Sequence, residues 1–161
     1  MGVATIAPEV RCRESSPADR SYVIELAAEI FADFGDYRSI LSQWLDTPRV
    51  TTRIALEGAQ RRGFTLIARH QPLGFFRRAS AELVAIALEE SARGRGLGRR
   101  LLEDAERIAR AWDAHEMRLH TAETNRVARS FFSRAGYERR ERGTTRYPNG
   151  QTALELRRAL T

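Results

Sequence analysis

The stretch from residue 82 to residue 113 constrains the fold more than any other part of the sequence. It runs from an apolar segment, Glu82 to Leu88, through a turn with glycines at 94, 96 and 98, into a helical pattern from Leu97 to Asp113. The apolar segment lacks alternation, which predicts a central strand buried on both faces. The helix begins inside the turn, so its first amides have no partner within the helix and point outward. We therefore expect a buried strand, an anion-binding turn and a covering helix in succession.

The remaining patterns predict helices and strands on both sides of this unit. Strands and helices alternate in the middle of the chain and hairpins lie towards its ends, which predicts a mixed α/β sheet covered by helices. At 161 residues the chain is expected to form a single domain, residues 1–161. The predicted strands are Val10–Glu14, Val50–Glu57, Gly63–Arg69 and Glu116–Thr121, with a last hairpin from Tyr137 to Leu156, and the predicted helices follow Ser15–Asp19 and cover Tyr37–Leu45 and Arg126–Ala135.

Arginine supplies all of the basic charge. The chain has 27 basic residues, none of them Lys, and a formal net charge of +6. The absence of Lys excludes a phosphate loop of the G-K-[ST] type and Schiff-base chemistry. The positive charge favours an anionic partner but does not separate a nucleic acid from a phosphorylated cofactor.

The glycine-rich turn predicts a pyrophosphate site. The partial positive charge at a helix start is modest, so we expect the turn amides to act together with Arg93, Arg95 and Arg99. A dinucleotide-binding G-x-G-x-x-G motif starting at Gly94 would need glycine at position 99, where the chain has Arg.

Two segments resemble the GNAT superfamily of N-acetyltransferases. Residues 93–98, Arg-Gly-Arg-Gly-Leu-Gly, match the family's [QR]-x-x-G-x-[GA] signature, and residues 125–137 are similar to its later N-x-x-A-x-x-aromatic segment. The resemblance is specific from about Glu82 to Tyr137. It implies a mostly antiparallel mixed sheet of six to seven strands flanked by about four helices, with a splay between strands 82–88 and 116–121.

The resemblance also implies acetyl-CoA as cosubstrate and assigns residues to it. Main-chain groups of the strand would bond the pantetheine arm, the turn amides would hold the pyrophosphate, and Asn125 would contact the cofactor at the splay. As a helix N-cap, Asn125 has a structural role as well. The implied cofactor-binding residues are Ile86, Ala87, Leu88, Arg93, Gly94, Arg95, Gly96, Leu97, Gly98, Arg99, Asn125 and Phe132.

Three residues are candidates for proton transfer. Many family members carry a Tyr general acid where this chain has Phe132, which cannot donate a proton; Tyr147 is the substitute candidate. The acceptor amine must lose a proton before it attacks the thioester, and His120 is a candidate base because it titrates near neutrality. Glu123 is the alternative base. We expect the acceptor to lie over aromatic residues of the first two helices, namely Phe31, Phe34, Tyr37 and Trp44.

These patterns together predict an N-acetyltransferase that moves an acetyl group from acetyl-CoA to a primary amine in a ternary complex. A non-catalytic acyl-CoA sensor stays open because of Phe132. An enzyme acting on aminoacyl-tRNA stays open because of Arg77, Arg78, Arg139, Arg140 and Arg142. The lone Cys12 suits a reducing cytoplasm. We expect no metal and no membrane partner; a homodimer is common in the family.

Overall fold

Four helices and eight strands make up the part of the chain that the structure, a computed structural model, describes: residues 2, 6–72, 74–75, 78–141 and 145–160. Single turns of 3₁₀ helix lie at Pro17–Asp19, Ala32–Phe34 and Glu90–Ala92. The helices are α1 (Arg20–Ile30), α2 (Tyr37–Leu45), α3 (Leu97–Ala111) and α4 (Arg126–Arg134). The strands are β1 (Val10–Glu14), β2 (Val50–Glu57), β3 (Gln60–His70), β4 (Ser80–Leu88), β5 (Glu116–Ala122), β6 (Glu138–Arg139), β7 (Thr145–Arg146) and β8 (Thr152–Ala159).

The strands form one sheet in the order β1-β2-β3-β4-β5-β8-β6, and β7 also pairs with β8. Within the described residues every pairing is antiparallel except that between β4 and β5. The predicted mixed, mostly antiparallel sheet is confirmed. The strand number exceeds the expected six to seven because β6 and β7 have only two residues each, too few to show a pattern in the sequence.

The parallel pair separates part-way along its length. Pairing between β4 and β5 starts at Ala81 and Met117 and ends at Leu83 and Leu119, although β4 continues to Leu88. Beyond that point none of the described strands pairs with this edge of β4, and a cleft opens between the two strands. This is the splay expected from the sequence.

Two hydrophobic cores cover the two faces of the sheet. Leu102 of α3 and Phe132 of α4 pack with Met117 and Leu119 in one core. The other core lies beneath α1 and α2 and includes Val23, Leu41 and Phe64. Helices therefore cover both faces of the sheet that contains the cleft.

Strand β4 contributes to both cores because its pairing with β3 skips one residue at Val84. Leu83 packs in the core beneath α3, whereas Ala85 and Ala87 pack in the core beneath α1. The bulge thus explains the apolar run without alternation, but burial is incomplete, since Val84, Ile86 and Leu88 are only half-buried.

Several predicted boundaries were wrong. Among them, β4 starts at Ser80 rather than Glu82, and β8 ends at Ala159 rather than Leu156. Helix α3 ends at Ala111 rather than Asp113, since Trp112 caps it and Asp113 adopts a positive φ of 58°. The second strand of the first hairpin starts at Gln60 rather than Gly63, because Glu57 pairs directly with Gln60 across a two-residue turn.

Candidate functional site

The turn before α3 leaves a row of backbone amides without partners. Gly94 and Gly96 have φ angles of +75° and +81°, a conformation that other residues adopt only with strain. Gly96 is the N-cap of α3, and no side chain caps the helix. Among the described residues, no hydrogen-bond acceptor takes the amides of residues 94–99. These amides and the helix dipole give the turn the character of an anion site.

Gly98 has a different role from the other two glycines. Its φ is not positive, but a Cβ there would lie 3.3 Å from Leu88 Cδ1 and 3.6 Å from the Phe131 ring. A side chain at this position would need a small shift of the Leu88 side chain. Gly98 therefore permits close packing against Leu88 and Phe131, while Gly94 and Gly96 shape the backbone of the turn.

The three arginines of the turn have different partners within the protein, contrary to the joint action on an anion that we expected. Arg95 Nη1 lies 2.5 Å from a Glu57 carboxylate oxygen, and Arg99 Nε lies 2.9 Å from Glu103. Arg93 donates to the Leu88 carbonyl at 3.5 Å and has no carboxylate partner among the described residues. The charges of Arg95 and Arg99 are thus partly balanced within the protein, which leaves the amides as the main attraction for an anion.

The free edge of β4 leads from the turn into a cavity of about 370 Å³, within the usual range for small-molecule sites. Ile86 lines the cavity, while the side chain of Ala87 is buried in the core and only its main chain is available. The walls come from the end of α1, from α2, from β4 and β5, and from the start of α4 and the β7–β8 turn. The lining residues that matter below are Ile30, Phe31, Phe34, Tyr37, Ile40, Trp44, Glu82, His120, Asn125, Phe132, Arg146 and Tyr147.

His120 lines this cavity between two carboxylates. Its Nδ1 lies 3.6 Å from Glu82 Oε1, and its Nε2 lies 3.8 Å from Glu155 Oε2. Strands β4, β5 and β8 supply one residue each, and the direct pairing of His120 with Glu155 fixes their alignment. A positive charge on the imidazole would have a carboxylate on either side.

Glu82 is the functional candidate that the sequence reasoning missed. It lines the cavity, and its second oxygen lies 2.8 Å from His70 Nε2. Burial raises the pKa of Glu82, but its contacts with His120 and His70 outweigh this and hold the pKa below its ordinary value. An acidic residue at the start of an apolar strand was the signal in the sequence.

Asn125 caps the start of α4, Phe132 lies in its last turn, and both line the cavity. Asn125 Oδ1 accepts a hydrogen bond from the Ala128 amide at 3.1 Å, so the predicted N-cap is confirmed, and the residue also lines the cavity. Phe132 is 4% exposed and packs edge-on against Phe131 and Tyr137. Both residues therefore reach the site while stabilising the fold.

Tyr147 lies on the cavity wall opposite the strands. Its ring centroid is 5.2 Å from that of Phe34. Burial raises the pKa of its hydroxyl, with a further contribution from Tyr37, so the phenol remains protonated at neutral pH. The hydroxyl can donate a hydrogen bond there, although the raised pKa makes it a weaker acid than an ordinary phenol.

The family model that describes the acetyltransferase (GNAT) family matches residues 19–137. The chain belongs to the GNAT family. No curated protein shows significant sequence similarity to it.

Solved structures support the GNAT fold. Ard1 from Thermoplasma volcanium is 19% identical with a TM-score of 0.76, and NAA60 from Arabidopsis thaliana in complex with a bisubstrate analogue is 11% identical with a TM-score of 0.78; each alignment covers 94% of this chain and 98% of the other. A Bacillus subtilis acetyltransferase in complex with CoA is 17% identical with a TM-score of 0.74, over 95% of this chain and 100% of that one.

Glu123 lies away from the cavity of this GNAT chain. The residue is exposed on the loop before α4 and does not line the cavity. Its carbonyl oxygen accepts a hydrogen bond from Arg129 at 2.9 Å. The geometry therefore favours His120 over Glu123 as the base.

The arginines that suggested a nucleic-acid partner do not form one described cluster. Arg139 on β6 and Arg140 directly after it are exposed, and Arg140 lies 3.6 Å from Glu155. Arg77 and Arg142 lie outside the described residues.

Every helix in the described part of the chain is too short or too polar to span a lipid bilayer. The same residues contain no group of three or more His, Cys, Asp or Glu side chains arranged to hold a metal ion.

Proposed function

We propose that the protein is an N-acetyltransferase that moves the acetyl group of acetyl-CoA to a primary amine by direct attack in a ternary complex. The observation that carries this proposal is the continuity of the cleft. Unpartnered amides lie at its outer end, the free edge of β4 runs along it, and a cavity containing His120 and Glu82 lies at its inner end. This arrangement suits a long anionic carrier that presents a reactive group to an acceptor.

The residues of the cleft fit acetyl-CoA, which would supply a thioester-activated acetyl group. The amides of residues 94–99 would hold the pyrophosphate, assisted by Arg93. Main-chain groups between Ile86 and Leu88 would pair with the pantetheine arm as a strand would, and Asn125 would contact it at the splay. The open space around Gly94 and Gly96, where a Cβ would meet nothing within 4 Å, leaves room for phosphate oxygens to approach the backbone.

His120 and Glu82 would accept the proton of the acceptor ammonium. An α-amine with a pKa near 8 is about 10% neutral at pH 7, so its deprotonation by a positioned base costs little free energy. The ionised Glu82 attracts the ammonium into the cavity, and His120 takes the proton with Glu155 stabilising the imidazolium. The freed lone pair then attacks the acetyl carbon.

The departing thiolate needs at most one proton. Phe132 cannot supply it, whereas Tyr147 lies on the cavity wall with its hydroxyl protonated. We propose Tyr147 as the donor, with unassisted departure as the outcome if its removal has no effect. In either case the amine nitrogen–carbon bond forms as the carbon–sulfur bond breaks.

Calorimetric titration with acetyl-CoA, followed by a thiol-release assay over a panel of amines, tests the proposal. We expect acetyl-CoA to bind and at least one primary amine to release thiol above the background hydrolysis. Binding without release for any amine would instead indicate an acyl-CoA sensor. Absence of binding would refute the proposal altogether.

A further inference from the structure

The cavity has one charged pole and one apolar pole. Among the described lining residues, only Glu82, His120 and Arg146 have acidic or basic side chains. Glu82 and His120 lie together on the strands, and Arg146 lies at the exposed rim on β7. An amine that is bound for acetylation must place its nitrogen near the Glu82–His120 pole.

The opposite pole consists of large apolar side chains. The Phe31 and Tyr37 rings are in contact, with centroids 4.9 Å apart. No carboxylate from α1 or α2 lines this part of the cavity within the described residues, so a second cation there would lose its hydration without a charged partner. The side chains of this apolar pole are Ile30, Phe31, Phe34, Tyr37, Ile40 and Trp44.

Two loops meet beside the apolar pole. Asn149 Nδ2 donates to the Asp33 carbonyl at 2.5 Å, across 116 residues of sequence. A Cβ on Gly35 would lie only 3.0 Å from Pro148, which shows how closely the loops approach. Together with the Phe34–Tyr147 contact, they bound the cavity on the side of the apolar pole.

We propose that the acceptor is a primary amine whose neighbouring carbon carries one bulky apolar side chain, of the leucine or phenylalanine kind. This inference rests on the proposed function and deepens it. The same chemistry occurs in a small amine and in a peptide N-terminus that begins with an apolar residue. Polyamines and lysine side chains do not fit, because their second charge or long polar chain would occupy the apolar pole.

The test compares amines that differ only in the side chain. The panel consists of leucinamide, phenylalaninamide, glycinamide and lysinamide, with spermidine as a polyamine. Calorimetry measures the binding of each amine to the CoA-loaded protein, and a second assay measures thiol release with acetyl-CoA. We expect the affinity for leucinamide and phenylalaninamide to be at least about tenfold higher than the affinity for glycinamide. The reason is that glycinamide has no apolar side chain to bury. Equal or tighter binding of glycinamide, lysinamide or spermidine would overturn the inference.

Two substitutions on α2 separate the cavity from the helix surface. Ile40→Asp places a carboxylate in the apolar pole, whereas Gln43→Asp adds the same charge at an exposed position that does not line the cavity. We expect Ile40→Asp to abolish the preference for leucinamide over glycinamide and Gln43→Asp to retain it. The milder Ile40→Ser, expected to weaken the preference severalfold, provides the comparison if Ile40→Asp does not fold. An unchanged preference in Ile40→Ser would contradict the inference.

A tetrapeptide beginning with leucine distinguishes the two sources of this chemistry. Tighter binding than leucinamide would indicate a peptide N-terminus, and weaker binding would indicate a small amine; both agree with the proposed class. Failure of the inference is also distinct from failure of the proposed function. Acetyl-CoA binding and amine-dependent thiol release with the wrong order of amines would refute the inference alone.

Discussion

At the scale of single residues, the proposed proton transfer depends on His120, which lies between two carboxylates from neighbouring strands. Glu82 and Glu155 lie on opposite sides of the His120 ring, and only strand pairing brings the three together. Carboxylates on both sides would stabilise a positive charge on the ring. Proton transfer by a positioned base is typically worth 10²–10⁴-fold in rate.

Replacement of His120 by Gln therefore tests the base directly. We expect kcat/KM for the amine to fall by about 10²-fold or more, because the ammonium loses its proton acceptor. Binding of acetyl-CoA, measured by calorimetry, remains unchanged. Glu123→Gln is the matched control, and we expect it to leave the rate within about twofold. A greater loss in Glu123→Gln than in His120→Gln would reverse the assignment.

Tyr147→Phe tests the proton donor while retaining the ring contact with Phe34. We expect kcat to fall by about tenfold or more because the thiolate leaves without a proton, with KM for acetyl-CoA unchanged. Tyr37→Phe removes another hydroxyl from the same cavity and serves as the control. If both variants retain the full rate, the thiolate leaves unaided.

At the scale of elements, we propose that the start of α3 binds the cofactor. Gly96→Ala introduces a side chain at a φ of +81°, in open space, directly among the free amides. The strain costs about 1 kcal/mol of stability, and we expect affinity for CoA to fall by about tenfold because the methyl group hinders approach to the amides.

Gly58→Ala is the control for this substitution, since Gly58 also has a positive φ, +60°, and open space, but lies in the β2–β3 turn. Thermal unfolding measures the strain in both variants and calorimetry measures CoA binding. Equal loss of affinity in the two variants would mean that the amides of the α3 turn do not hold the cofactor.

The sequence predicted those elements whose signals are local. The bounds of Val10–Glu14, Tyr37–Leu45 and Val50–Glu57 were all confirmed, as was the Asn125 cap. Each of these depends on side-chain pattern and on breakers within a few residues.

Features that depend on distant parts of the chain could not be predicted in the same way. The contact of Asn149 with Asp33 spans 116 residues, and Glu82, His120 and Glu155 come from three separate strands. The different roles of Gly96 and Gly98 also became visible only when their neighbours were in place. A motif can indicate a glycine-rich turn without indicating which glycine shapes the backbone and which permits packing.

At the scale of the whole molecule, one buried carboxylate joins elements that lie far apart in the chain. Asp19 is 2% exposed and pairs with Arg13 of β1 and Arg61 of β3. The hydrogen bond from Arg13 holds the pKa of Asp19 well below its ordinary value, against the opposing effect of burial, and the Ser16 amide adds to the lowering.

This arrangement makes stability depend on pH. Since the unfolded chain binds a proton at a higher pH than the folded chain, the stabilisation is fully present above about pH 5 and is lost progressively as the pH falls below about 4. We expect Asp19→Asn to be less stable at pH 7 and to lose less stability on acidification. Urea unfolding between pH 7 and pH 3 measures both slopes; parallel slopes would show that Asp19 does not contribute.

The proposed function depends on the amides at the start of α3, which we propose hold an anionic carrier in the cleft between β4 and β5. A titration of ¹⁵N-labelled protein with coenzyme A, followed by amide NMR shifts, tests this most directly. We predict the largest shifts at residues 94–99, with further shifts along the free edge of β4 from Val84 to Leu88. Saturable binding with these amides unmoved and the shifts elsewhere, or no binding at all, would contradict the account.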